Sequence, residues 1–201
     1  RNVSHLTFPD EIQIRPAGSR KPKGPAGRIT ALQISPPKES LDKAIEMLKS
    51  ADRPVIVVGH GARFHMDKIV ALAEKLNAPV CTTFKGKGLI ADDHPLGCGV
   101  LGRSGTPIAS WFMNESDLLI VFGASFSNHT GITPKIPTIQ VDFDPMALSK
   151  FHQVACAVWG EISVTSELFL AALQNESGPN DRRPEVLLRR EIWKAGKKKR
   201  L

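Results

Sequence analysis

The sequence has no apolar run close to the roughly 18 residues that a membrane-spanning helix needs. Its longest apolar stretches, Pro54–Gly59 and Leu118–Gly123, have only the length of a strand. It also shows no basic, then apolar, secretion signal near its start. These absences argue against an integral membrane segment and against an exported protein.

Cysteine is scarce, with three residues, Cys81, Cys98 and Cys156, that stand far apart in the sequence. An odd number of widely separated cysteines argues against a disulfide framework, and the absence of a Cys-x-x-Cys pair argues against a zinc site. Together with the missing export signal, this cysteine usage predicts a reducing, cytoplasmic location.

Positive charge is in excess, because 27 lysines and arginines face 20 acidic residues, for a net charge of +7. The excess lies in the first 30 and the last 20 residues, whereas residues 32–178 are close to balanced. The run Lys197–Arg200 has the composition of a nucleic-acid-binding tail. No aromatic residues interleave with it, so we predict a solvated linker and no nucleic-acid partner.

Helical and strand patterns alternate along residues 39–175. Apolar residues at helical spacing predict helices over 41–48, with Ser40 as N-cap, and over 69–76, 106–113 and 162–173. Short apolar runs predict strands over 54–58, 79–83, 118–122, 137–141 and 154–158. Such alternation implies βαβ units, and right-handed crossovers then give an α/β fold, an open parallel sheet with helices on both faces.

The two ends of the chain lack the alternation of helical and strand patterns that its middle shows. Residues 1–9 predict a short strand, which needs a pairing partner, and residues 15–37 predict a linker rich in proline, glycine and lysine. Near the other end, four residues, Val186, Leu187, Ile192 and Trp193, predict a short helix whose packing partner is absent from this chain. Because the first residue is Arg1 rather than Met, we expect a fragment of a longer protein.

Glycines follow the first predicted strand, where the ligands of parallel sheets bind. Gly59 and Gly61 would let the backbone approach a phosphate, or they make a tight strand-to-helix turn. The nicotinamide fingerprint is incomplete, because Phe64 stands at its third glycine and no acid follows the second strand. A generic NAD-dependent dehydrogenase is therefore a poor fit.

Other loops offer further contacts to a nucleotide. Lys85 and Lys87, flanked by glycines, would contact phosphates or form a solvated loop, and they do not belong to a P-loop. The glycine-rich residues 97–105 and the loop that begins at Gly123 permit a close approach to a ligand or plain packing. Asp142 and Asp144 would accept ribose hydroxyls, or Asp144 caps a following helix.

No catalytic constellation is visible. His60 and His65 are five residues apart and do not share a helix face, and the remaining histidines stand alone in turns. No Gly-x-Ser-x-Gly nucleophile motif occurs. The residues alone describe a nucleotide binder with no reaction of its own.

Five motifs, in order and at consistent spacing, resemble those of the central domain of thiamine-diphosphate-dependent enzymes of the pyruvate oxidase and acetolactate synthase group. They are Ala51–Gly61, Thr83–Gly88, His94–Gly102, Ser116–Gly123 and Ile139–Pro145. The resemblance covers residues 37–173. It implies a Rossmann-like, six-stranded parallel sheet of the DHS-like NAD/FAD-binding type, of which the apolar patterns locate five strands.

The resemblance also implies the organisation of a longer parent. Residues 1–38 would end an N-terminal pyrimidine-binding domain and form a linker, residues 39–175 would be the central domain, and residues 176–201 would lead to a pyrophosphate-binding domain. In the family those two outer domains hold thiamine diphosphate and Mg²⁺, and this chain contains no Gly-Asp-Gly motif of the kind that binds them. The parent would be a homodimer or homotetramer acting on 2-oxo acids such as pyruvate, and the fragment alone would be inactive.

Central domains of this family hold FAD or ADP in several members and are empty in others. Carried over by position, the nucleotide contacts are Gly59, Gly61, Gly99, Gly102, Gly123, Asp142, Asp144 and Glu161. Two departures disfavour FAD, since Ser125 replaces the arginine of an Arg-Phe pair and Glu161 is longer than the usual aspartate. The alternatives are a stand-alone nucleotide-binding module without enzymatic activity and an unrelated NAD-dependent enzyme such as a deacylase.

Overall fold

The computed structural model describes residues 5–16, 18–19, 21, 23–24, 26–176 and 178–198, and it divides the chain into two units, Arg1–Ala31 and Leu32–Leu201. In the first unit every described residue is exposed and a short helix, α1, covers Asp10–Gln13. His5–Pro9 does not form the predicted strand, and residues 1–4 of that prediction lie outside the described residues. An extended segment without a pairing neighbour gains nothing from strand geometry.

The second unit is built on one sheet of six parallel strands in the order β3-β2-β1-β4-β5-β6. The predicted α/β fold with an open six-stranded parallel sheet is therefore confirmed. The strands are β1 (Pro54–Val58), β2 (Val80–Thr82), β3 (Gly97–Val100), β4 (Leu118–Phe122), β5 (Thr138–Asp142) and β6 (Cys156–Trp159).

Helices cover both faces of this sheet. Helices α2 (Lys38–Ser50), α3 (Met66–Lys75) and α5 (Ile162–Ala172) pack on one face, and α4 (Pro107–Asn114) and α6 (Arg183–Lys198) pack on the other. Central strands with both faces covered have no solvent side, which explains why β1 and β4 are continuous apolar runs. Among the helices of the described residues, none has the length and apolar character to cross a membrane.

Strand β3 is the one that apolar patterning did not locate. It has two glycines, Gly97 and Gly99, and glycine is depleted in strands. The pairing of β2 with β3 shifts register between Val80 and Cys81, and Gly99 there has a left-handed φ of +79°. A Cβ on Gly99 would lie 2.8 Å from the methyl of Thr106. Glycine at position 99 thus permits the bulge that joins this edge strand to the sheet.

The start of α2 differs from the prediction of Ser40 as N-cap. The helix begins three residues earlier, with Pro37 as its N-cap, because the carbonyl of Pro37 accepts the first helical bond, from the N–H of Leu41, at 3.0 Å. The Ser40 hydroxyl donates to the same carbonyl at 3.0 Å. Ser40 therefore lies inside the first turn, and its prediction as N-cap was wrong.

Helix α6 finds its packing partner within this chain, contrary to the expectation from sequence. Val186 is fully buried in the same core cluster as Phe112, and the Arg182 guanidinium lies 5.0 Å from the centre of the Phe112 ring. The Arg190 guanidinium donates to the carbonyls of Asp93, His94 and Gly97 beside the edge strand β3. The helix is thus an integral layer of the second unit.

Candidate functional site

Strands β1 and β4 lie side by side at the point where the strand order reverses direction. From β1 the chain proceeds outward to β2 and β3, and from β4 it proceeds to β5 and β6 on the other side. In open parallel sheets, ligands bind beyond the carboxyl ends of the strands at such a point. The loops after β1 and β4 are therefore where a ligand site is expected.

Three of the predicted site glycines pack against one another at this point. The Gly61 N–H donates to the Gly123 carbonyl at 3.0 Å. A Cβ on Gly59 would lie 2.2 Å from the Gly123 carbonyl oxygen, and one on Gly61 would lie 2.8 Å from the Gly123 Cα. Gly123 itself has a φ of +57°, which favours glycine. These glycines bring the two loops into backbone contact, and the Gly61 N–H already has a protein partner.

Gly102 also makes a backbone contact. A Cβ there would lie 2.2 Å from the His129 carbonyl oxygen, and the adjacent Arg103 N–H donates to that carbonyl at 3.2 Å. Gly99, described above, packs on Thr106. The loop after β3 is thereby held against the loop after β4, which brings residues from both loops to the same edge of the sheet.

The three predicted acids have contacts within the protein. One Asp144 oxygen accepts the Met146 N–H at 2.9 Å and caps a short 3-10 turn, Pro145–Ala147. The Glu161 side chain caps α5 by accepting the Val164 N–H at 2.8 Å. Its other oxygen lies 3.2 Å from Nδ1 of His65. Capping is therefore a structural role that both side chains fill.

Asp142 ends β5, and its Oδ1 accepts the Asp144 N–H at 2.9 Å. Burial raises the pKa of the Asp142 carboxyl above its ordinary value. The nearby Asp144 carboxylate also raises this pKa, whereas the hydrogen bonds from the backbone of Asp144 and Phe143 lower it. The folded protein thus holds the proton of Asp142 more tightly than the unfolded chain does.

We expect Asp142→Asn to stabilise the protein at pH 7, with a gain that shrinks as the pH is lowered toward 4. A raised folded-state pKa makes ionised Asp142 destabilising above that pKa, and the difference disappears below the unfolded-state pKa. The amide oxygen still accepts the Asp144 N–H. Urea unfolding of both proteins at a series of pH values measures the gain. A gain of equal size at pH 4 and pH 7 would contradict the assignment.

A groove of about 710 Å³ opens at the carboxyl edge of the sheet beside β1, β2 and β4. Its charged side chains are Lys85 and Arg103, and no aspartate or glutamate of the described chain lines it. Hydroxyl, imidazole and aromatic side chains complete the wall. The lining is His60, Thr83, Phe84, Lys85, Arg103, Ser104, Gly123, Ala124, Ser125, Ser127, His129 and Thr130. Because its wall carries cationic side chains and hydrogen-bond donors but no carboxylate, this groove is suited to an anionic ligand.

Of the eight predicted site residues, Gly123 lines this groove. Gly59, Gly61 and Gly102 support it through backbone contacts between the loops, and Asp142 ends the strand next to β4. The binding role of the eight residues stays a prediction. Sequence reasoning included Lys85 as an option but missed Arg103 and His129. Arg103 follows β3 closely, so locating that strand would have placed it at the ligand-binding edge.

The groove has the chemistry of a binding site rather than of a metal centre. Within the residues that the structure describes, no group of three or more histidine, cysteine, aspartate or glutamate side chains is arranged to hold a metal ion. The described carboxylates near the sheet edge cap helices or bind backbone, as at Asp144 and Glu161. What the arrangement can do is hold and orient an anion.

Comparison with known proteins gives the chain a family context. The family model for the central domain of thiamine pyrophosphate enzymes matches residues 41–173. A probable acetolactate synthase large subunit of Methanococcus aeolicus is 38% identical over 60% of this chain and 21% of its own length. The acetolactate synthase isozyme 1 large subunit of Escherichia coli is 32% identical over 76% of this chain and 26% of its own length.

Two further similarities extend the range of relatives. A 3D-(3,5/4)-trihydroxycyclohexane-1,2-dione hydrolase of Clostridium perfringens is 29% identical over 78% of this chain and 26% of its own length. A crystal structure described as a thiamin diphosphate-dependent enzyme of Mycobacterium smegmatis superposes with a TM-score of 0.62 at 25% identity, over 79% of this chain and 32% of that one. The chain thus spans about a fifth to a quarter of the length of these curated relatives.

Proposed function

Because this chain belongs to the thiamine pyrophosphate enzyme family, as its central domain, we propose that it is part of a longer enzyme that decarboxylates, oxidises or ligates 2-oxo acids such as pyruvate. The observation that carries the proposal is the family match over residues 41–173, which includes all six strands of the sheet. The names of its relatives, acetolactate synthases among them, support a reaction of this kind.

The described residues do not fit thiamine diphosphate or its Mg²⁺ ion. They contain no cluster of acidic, histidine or cysteine ligands, and the sequence has no Gly-Asp-Gly motif. We therefore assign the coenzyme and the metal to an N-terminal and a C-terminal domain of the parent, and we expect this chain alone to be inactive. The parent would be a cytoplasmic homodimer or homotetramer. The three buried, unpaired thiols are consistent with a reducing compartment.

The groove at the carboxyl edge fits the diphosphate of FAD or ADP, which we propose as its ligand. Lys85 and Arg103 would bind the diphosphate, because guanidinium and ammonium groups match phosphate oxygens and the wall adds no negative charge. Ser104 and Ser125 would donate hydroxyl hydrogen bonds. Asp142, at the end of the neighbouring strand, would accept a ribose hydroxyl. In the parent, this domain would then position its neighbours and, if the ligand is FAD, hold a redox group.

Turnover by the purified parent tests the enzymatic proposal. We expect release of CO₂ from pyruvate that requires added thiamine diphosphate and Mg²⁺, and no release by this chain alone under the same conditions. A visible flavin absorbance of the purified parent would identify FAD rather than ADP. A source gene that encodes only this chain would instead support the stand-alone nucleotide-binding module.

Titration of this chain with ADP tests the groove separately. Removing both cations, with Lys85→Ala and Arg103→Ala together, should weaken ADP binding by about 100-fold, since each charged hydrogen bond contributes about 1.5 kcal/mol or more. Lys87→Ala is the matched control, because Lys87 lies in the same loop but does not line this groove. Equal losses of ADP affinity in the double variant and in the Lys87→Ala control would show that the two cations do not belong to the site.

Asp142→Ala should weaken nucleotide retention in the parent.

A further inference from the structure

Strand β3 is an outer strand of the sheet, and its own side chains do little to protect its open edge. It pairs with β2 on one side only. An open edge presents backbone N–H and C=O groups that can pair with a strand of another molecule. Proteins often guard such an edge with charged side chains or proline, but residues 96–102, Leu-Gly-Cys-Gly-Val-Leu-Gly, contain neither. Other parts of the fold therefore have to close this edge.

The bulge in β3 places additional backbone carbonyls on the open side of the strand. The pairing with β2 skips Cys98, which is therefore the extra residue of the bulge. The carbonyls of Gly97, Cys98 and Val100 all accept hydrogen bonds from groups that lie outside the sheet. Each of these three acceptors would otherwise be open to the N–H groups of an incoming strand.

Thr106, the N-cap of α4, closes two of these acceptors. Its hydroxyl donates to the Cys98 carbonyl at 2.6 Å, and its N–H donates to the Val100 carbonyl at 2.7 Å. The hydroxyl oxygen also accepts the Ala109 N–H at 3.1 Å, which caps the helix. This part of the edge is therefore closed by the same residue that begins α4.

Arg190 of α6 closes the third acceptor. Its Nη2 donates to the Gly97 carbonyl at 2.5 Å and to the His94 carbonyl, and its Nη1 donates to the Asp93 carbonyl at 3.3 Å. Within the part of the chain that the structure describes, the hydrogen bonds from α6 to this edge all come from Arg190. A groove of about 680 Å³, lined by residues of both elements, lies between α6 and β3. The connection of the helix to the edge thus depends on one side chain.

A guanidinium is well suited to keep backbone carbonyls occupied. Its donors lie in a planar fork that reaches several acceptors at once, and hydrogen bonds from a charged donor are stronger than those from a neutral one. The neutral N–H groups of an incoming strand would have to displace Arg190 from the carbonyls of Gly97 and His94. The edge therefore stays closed as long as α6 is in place, and it opens when this side chain is lost.

We propose that the β3 edge is a latent pairing surface for a second copy of this chain, and that Arg190 keeps it closed. Two such edges related by a two-fold axis would pair antiparallel, which joins two six-stranded sheets and closes as a dimer. The strand, Gly-Cys-Gly-Val, favours this partner because it brings no like charges and little bulk to the two-fold contact. The inference goes beyond the proposed function and does not depend on it.

Sedimentation velocity of Arg190→Ala over a wide range of protein concentrations tests the proposal. We expect the unaltered chain to stay monomeric and the variant to form a dimer as its concentration rises. Lys194→Ala is the matched control, because it removes the same charge at an exposed position one turn further along α6, and it should stay monomeric. Arg190→Lys keeps the charge but loses the planar fork, so it should dimerise more weakly than Arg190→Ala.

Hydrogen exchange locates the contact. In dilute Arg190→Ala, the amides of β3 should exchange at least about tenfold faster than in the unaltered chain, because the edge has lost its cover. In the concentrated variant the same amides should become protected again, since the second copy then pairs with them. The amides of β6, the strand at the opposite edge of the sheet, should exchange equally in both samples.

The results that contradict the proposal are equally defined. A folded Arg190→Ala variant that stays monomeric at every concentration would overturn it. A dimer whose newly protected amides lie in β6 or in the helices would also overturn it, as would an unaltered chain that dimerises as readily as the variant. If circular dichroism shows that Arg190→Ala does not fold, Arg190→Lys decides. A concentration-dependent dimer protected at β3 then supports the proposal, and a monomer contradicts it.

Discussion

Gly59→Ala is expected to lower the free energy of unfolding by about 3 kcal/mol or more, a large part of the stability of a typical domain. The added Cβ would lie 2.2 Å from the Gly123 carbonyl oxygen and 2.5 Å from the Ala124 Cα. Both are backbone atoms of the neighbouring strand's end, so no side-chain rotation relieves the clash. The loops after β1 and β4 must separate, which disturbs the groove at the same time.

Urea unfolding, followed by circular dichroism, measures this loss. Gly196→Ala is the control, because Gly196 lies in α6 with no atom within 4 Å of an added Cβ. Alanine there should stabilise the protein slightly, by about 0.5–1 kcal/mol, since glycine is the poorer helix former. A loss at Gly59 no larger than about 1 kcal/mol would show that the two loops are not held in backbone contact.

Phe112→Ala is expected to cost about 3–5 kcal/mol, the range for removing a fully buried phenylalanine. The ring is completely buried in the core cluster between the sheet and helices α4 and α6. The centre of the Phe112 ring lies 5.0 Å from the Arg182 guanidinium and 4.9 Å from the centre of the Trp111 ring, which meets it edge-on. Alanine leaves a cavity and removes the aromatic face beneath a guanidinium that is itself nearly buried.

The loss should be accompanied by loosening of α6. Trypsin cleaves after arginine and lysine, and α6 has several of these, so cleavage within residues 183–198 should accelerate in the variant well before global unfolding. Phe112→Leu keeps most of the volume and is expected to cost about 1.5 kcal/mol. Cleavage rates in α6 that match the unvaried protein would mean that Phe112 does not anchor this helix.

The local pattern of apolar residues was enough to predict most of the strands and helices, for a clear physical reason. Strands covered on both faces must be apolar throughout, so Pro54–Val58 and Leu118–Phe122 were visible as uninterrupted runs. Pro107 after Thr106 similarly predicted the start of α4, where the Thr106 hydroxyl accepts the Ala109 N–H at 3.1 Å. The sequence pattern did not locate strand β3, because its two glycines give no apolar signal and its place in the sheet depends on pairing with β2.

Residue types and their order along the chain thus specified the parallel sheet, its helical layers and the family resemblance, since these depend on burial patterns and short-range spacing. The folded arrangement alone decided the rest. Lys85, Arg103 and His129 come from three loops, and they share one groove because β2, β3 and β4, the strands before those loops, all end at the same edge of the sheet. The glycines at 59, 61 and 123 pack on each other, a contact between distant segments that no local pattern encodes.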